Sequence, residues 1–76
     1  MRIKITAAEE GSSFRMMFEP SGMAYDLEPG EVMYADVRDD EPMEMEIIHW
    51  DGGISIWPHG PVMTRDADGK ELHQLY

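Results

Sequence analysis

Met23-Ala24-Tyr25-Asp26-Leu27-Glu28-Pro29-Gly30-Glu31 decides the fold class of this chain. Its first five residues alternate, with Met23, Tyr25 and Leu27 on one face and Ala24 and Asp26 on the other, which is the period of a strand. Glu28-Pro29-Gly30-Glu31 then reads as a type II turn. Proline presets φ at the second position and glycine supplies the positive φ required at the third. Three further stretches punctuate the chain in the same manner: Glu19-Pro20-Ser21-Gly22, Asp51-Gly52-Gly53 and Asp66-Ala67-Asp68-Gly69. Asp51-Gly52 reads as a type I′ hairpin turn, with positive φ at both central residues, and Asp68-Gly69 as a second hairpin turn.

The pieces between these turns are strand-sized, and none carries a helical period. Arg2-Ile3-Lys4-Ile5-Thr6 puts Ile3 and Ile5 inward, and Phe14-Arg15-Met16-Met17-Phe18 puts Phe14, Met16 and Phe18 on one face. From Glu31 to Val37 the parity is ambiguous, because Val32 and Tyr34 compete with Met33, Ala35 and Val37. Met43-Glu44-Met45-Glu46-Ile47 alternates with the methionines inward. Ile48-His49-Trp50 breaks that parity, which predicts a bulge or a strand covered on both sides. Gly53 to Trp57 is the return strand of the hairpin, Val62 to Arg65 a short strand, and Lys70 to Tyr76 a last strand or one terminal helical turn. The expected architecture is all-β, a small antiparallel sandwich or barrel of about seven short strands.

The 76 residues amount to one domain with a small core, leaving no room for a large internal site. There is no cysteine, hence no disulfide framework and no thiolate metal site. No segment has the apolar length of a signal peptide or a membrane span. The expectation is a cytoplasmic protein. The net charge of −10 disfavours direct binding of nucleic acid or anionic lipid and suits a basic protein partner. Such a charge also keeps a small protein in solution with no further role.

Glu19-Pro20-Ser21-Gly22 and Tyr25-Asp26-Leu27-Glu28-Pro29-Gly30-Glu31, with Ile54-Ser55-Ile56-Trp57 and Asp68-Gly69-Lys70-Glu71-Leu72, resemble a Glu-Pro-x-Gly and Tyr-x-Leu-x-Pro-Gly-Glu pattern of small uncharacterised bacterial all-β proteins. The resemblance implies a β fold. It carries no assigned activity, and its motifs are turn chemistry.

Residues 26 to 46 concentrate nine acids (Asp26, Glu28, Glu31, Asp36, Asp39, Asp40, Glu41, Glu44 and Glu46) against Arg38. Asp39, Asp40, Glu41, Glu44 and Glu46 are the candidate acidic face for a basic partner, where charge steers encounter. The plainer reading is a solvated face that discourages edge-to-edge strand pairing. Trp50, Trp57 and His59 are the candidate aromatic contacts, for a partner or a sugar ring. Their plainer reading is cross-strand packing over the end of a barrel. Trp57 has opposite parity to Ile54 and Ile56, so inward isoleucines place it outward. Met16, Met23, Met43 and Met45 fit the core pattern, while Met17 and Met33 fall outside it.

Catalysis has no support. Asp66-x-Asp68-Gly69 lacks the spacing of a calcium loop. The three histidines, His49, His59 and His73, are not at ligand spacing, and the serines lie in no nucleophile context. No metal or cofactor is expected. Three functions stay open: a non-catalytic protein-binding or accessory module using the acidic face, a small-ligand or carbohydrate-binding protein using the aromatics, and an acidic inhibitor or immunity-type protein. Self-pairing through an edge strand such as Met43 to Trp50 leaves monomer and homodimer both open.

Overall fold

The computed structural model describes residues 1–38, 44–58 and 60–75. Among these residues eight strands run in chain order: β1 Arg2–Thr6, β2 Phe14–Phe18, β3 Met23–Leu27, β4 Val32–Val37, β5 Glu46–Trp50, β6 Gly53–Trp57, β7 Val62–Arg65 and β8 Glu71–Leu75. There is no helix among the described residues, and β8 settles the last segment as a strand.

The strands form two four-stranded sheets, ordered β1-β4-β7-β8 and β3-β2-β6-β5. The first is antiparallel throughout. The second is mixed, because β2 and β6 run parallel, with Met16 beside Ile54 and Phe18 beside Ile56. The expectation of about seven strands, all antiparallel, is therefore corrected to eight with one parallel pair. A hairpin joins only chain neighbours, and β2 and β6 are held side by side by what they bury rather than by a turn between them.

Both sheets contribute to one hydrophobic cluster. Ile5, Ala7, Met33, Ala35, Val37, Val62 and Leu75 come from the first sheet and its connections, and Met16, Phe18, Leu27 and Ile56 from the second. The alternation in β4 is resolved: Met33, Ala35 and Val37 are buried, while Val32, Tyr34 and Asp36 are half-buried. Met33 is thus core rather than surface, and Met17 is half-buried on the opposite side of β2 from Met16.

The turns follow their local chemistry. Gly30 has φ of 84°, and the Glu31 N–H donates to the Glu28 carbonyl at 2.9 Å, as a type II turn requires. At Asp66 to Gly69, the Asp66 Oδ1 accepts from the N–H groups of Asp68 and Lys70, both at 2.9 Å. The β5–β6 hairpin departs from expectation. Gly52 has φ of 90°, but among the described residues, Asp51 included, no non-glycine residue has positive φ, which excludes a type I′ turn.

Candidate functional site

Glu44 and Glu46, at the entrance to β5 and on it, are exposed, and Met45 between them packs against the core. With Ile47 and Trp57 these residues line a surface recess of about 480 Å³. Asp39, Asp40 and Glu41 of the expected acidic face, Met43 of the expected core and His59 of the aromatic set lie outside the described residues.

β5 begins at Glu46, and its ladder to β6 is regular from Glu46 opposite Trp57 to Trp50 opposite Gly53. Neither the bulge nor the two-sided cover expected at Ile48-His49-Trp50 is present. Among the described residues β5 pairs with β6 alone and forms an edge of its sheet. Directly opposed residues of an antiparallel pair share a face, so Glu46, Ile48 and Trp50 lie on the same face as Trp57, Ser55 and Gly53. Ile56 on the other face is buried, which makes this the outer face. Ile47 shares the face of Ile56 yet is 55% exposed, and Ile48 on the outer face is 44% exposed.

The two tryptophans share this outer face but sit at opposite ends of the hairpin. The Trp50 ring lies over Gly53, and its Nε1–H donates to Ser55 Oγ at 3.0 Å. Trp57 is 36% exposed and opposes Glu46. Trp57 therefore joins the acidic recess, while Trp50 is engaged within the hairpin.

The other acids of the 26–46 stretch are distributed elsewhere. Asp26 on β3 receives a bidentate pair of hydrogen bonds from Arg15, at 2.8 and 3.2 Å. That pair lowers the Asp26 carboxyl below its ordinary pKa, against a smaller opposing effect of desolvation. Asp36 on β4 accepts from Arg2 and Arg65, each at 2.7 Å, and these hydrogen bonds hold its carboxyl well below the usual carboxylate range. Glu31 Oε1 accepts from the Glu28 N–H within the type II turn. Glu44 and Glu46 line a recess beside exposed Ile47 and Trp57, while Asp26 and Glu31 line another with Asp66, Asp68 and exposed Leu72.

A second polar cluster joins the sheets. The Tyr25 hydroxyl lies 2.8 Å from Thr64 Oγ1 and 3.0 Å from His73 Nδ1. Burial raises the Tyr25 pKa, and the bond to Thr64 offsets part of that shift. Among the described residues no group of three His, Asp or Glu is placed to hold a metal ion.

Sequence reasoning missed Ile47 and Ile48 as surface residues. Their signal was the adjacent aliphatic pair itself, which cannot be buried on both sides of a strand unless both sides are covered. Comparisons of the chain with protein-family models, with curated proteins and with solved structures found no match in any of the three.

Proposed function

We propose that this protein is a non-catalytic protein-binding module whose contact surface is β5 with the recess beside it. The reading treats the two sheets as facing layers of a β-sandwich. It is supported by their shared core and by a shortest dimension of 18 Å, which suits two sheets about 10 Å apart with their outer side chains. The observation that carries the function is the recess in which exposed Ile47 and Trp57 lie beside Glu44 and Glu46, with Ile48 exposed on the other face of the same strand. Apolar side chains supply the burial on which affinity rests, and the carboxylates select a basic partner and speed encounter.

The protein immobilised and challenged with lysate of its source organism tests this. A basic protein should be captured at low salt and released at high salt, since exposed charges are screened within about 10 Å at 0.1 M. The double substitution Glu44→Lys with Glu46→Lys should abolish that capture and leave the fold intact. Capture indifferent both to salt and to the double substitution would sink the acidic-surface reading. The carbohydrate-binding alternative loses its shared platform, because Trp50 and Trp57 do not lie side by side.

A further inference from the structure

We propose that the open edge of β5 receives an extended segment of a basic partner as an added strand, an inference that rests on the protein-binding reading above. It starts from the direction of backbone groups. The Arg15 N–H donates to the Gly52 carbonyl and the Glu19 N–H to the Ile56 carbonyl, at 2.9 and 2.8 Å. The even-numbered residues of β6 therefore turn their backbone groups toward β2. Gly53, Ser55 and Trp57 turn theirs toward β5, where they oppose Trp50, Ile48 and Glu46. Between those positions, Ile47 and His49 direct N–H and C=O away from β6, toward the edge. Among the described residues no strand pairs with them.

Among the described residues the β5 edge differs from the other three. β1 carries Arg2 and Lys4, β8 is paired across an irregularity between Thr64 and Arg65, and on β3 the Asp26 carboxylate is tied to Arg15. Charged side chains and bulges are the usual devices against strand pairing. β5 has no lysine, proline or bulge, and it presents two adjacent exposed isoleucines.

Charge selects the occupant. A second copy of the chain would bring another net charge of −10 to the edge and Glu46 of each copy into the same short ladder. A basic strand meets complementary charge instead. Cross-strand neighbours would be a lysine or arginine opposite Glu46 on the outer face and an apolar residue opposite Ile47 on the other. Main-chain hydrogen bonds to Ile47 and His49 would give affinity, and these side-chain pairs selectivity.

The test uses two end-blocked peptides of equal length and charge, a lysine–valine repeat and a lysine–glycine repeat, titrated into isotopically labelled protein. Only the first has strand propensity. The expected result is that the lysine–valine peptide binds roughly tenfold tighter and slows hydrogen exchange at the Ile47 and His49 amides. His49→Pro removes one outward N–H without touching the ladder to β6, so it should abolish that preference while the melting temperature holds. If His49→Pro disturbs the fold, Ile48→Lys places a repelling charge on the same edge and should do likewise. Equal affinity for both peptides, lost with Glu44→Lys and Glu46→Lys, would overturn strand addition while leaving the acidic contact standing. Binding of neither peptide would count against both readings. Amide protection that rises with protein concentration and no peptide would overturn the proposal in favour of a second copy.

Discussion

The Tyr25 hydroxyl on β3 lies 2.8 Å from the Thr64 hydroxyl on β7, so an edge strand of one sheet is hydrogen-bonded to an inner strand of the other. Thr64 is 0% exposed and also accepts the His73 N–H at 3.1 Å. Tyr25→Phe removes the bonds to Thr64 and to the exposed His73 Nδ1 and leaves Thr64 with its contacts to the His73 backbone, which should cost about 1 kcal/mol. Thr64→Val leaves both the Tyr25 hydroxyl and the His73 N–H short of a partner, and should cost about 2 kcal/mol. Urea unfolding of the two variants measures this. A larger loss for Tyr25→Phe would show that the phenol, and not the buried threonine, organises the cluster.

Gly53 is required by space rather than by backbone conformation. A Cβ there would collide with the Arg15 carbonyl oxygen and lie 2.6 and 2.8 Å from two atoms of the Trp50 ring. The ring can shift, but the β2 backbone is fixed by the parallel ladder. Gly53→Ala should destabilise by about 2–3 kcal/mol, in the range of overpacked sites. A melting temperature equal to the wild type would mean that β2 and β6 can separate at no cost.

Asp36 sets an acid limit on stability. Its pKa in the folded protein is depressed by Arg2 and Arg65 below the ordinary 3.8. A group depressed on folding stabilises above its unfolded pKa, and that contribution disappears as pH falls from about 4 through the folded value. Asp36→Asn should therefore lower stability at neutral pH by about 1 kcal/mol and flatten the loss of stability below about pH 4. Denaturant midpoints measured across that window check the sign. An unchanged acid limb would assign the acid sensitivity to other carboxylates.

Trp57 and Trp50 should separate in a stability measurement. Trp57, exposed at the surface recess, should cost less than about 1 kcal/mol as Trp57→Ala. Trp50→Ala strips the cover from Gly53 and the bond to Ser55, and should cost about 3 kcal/mol. Thermal unfolding of both variants decides it. A large loss from Trp57→Ala would make that side chain a packing residue and remove it from the contact surface.

What the sequence made legible was local. Glu28-Pro29-Gly30-Glu31 adopts the turn that its residue types demand, because proline and glycine act on their own φ. Strand faces were readable for β1, β2 and β3, where Ile5, Met16, Phe18 and Leu27 are buried as alternation required. The parallel pairing of β2 with β6 was not readable, since nothing within Phe14–Phe18 or Gly53–Trp57 names a partner. For the same reason alternation could not place β5 at an edge. It separates Ile47 from Ile48 by face, but the cover over each face depends on which strands arrive from elsewhere. Trp50 and Trp57 appeared close because a turn lies between them. Pairing is mirrored about that turn, so the residue beside it meets Gly53 and the residue far from it meets Glu46.

The strand order has a consequence for how the chain holds together. β1 with β4 and β3 with β2 come from the first half of the sequence, and β7 with β8 and β6 with β5 from the second. Each half thus donates one adjacent pair to each sheet, and the halves meet along two seams, β4 against β7 and β2 against β6. Neither sheet is a contiguous stretch of chain, and neither half encloses a core of its own. The two halves are laced rather than stacked. A break in the chain between Arg38 and Glu44 would leave two mutually dependent fragments, each exposing an apolar face that only the other completes.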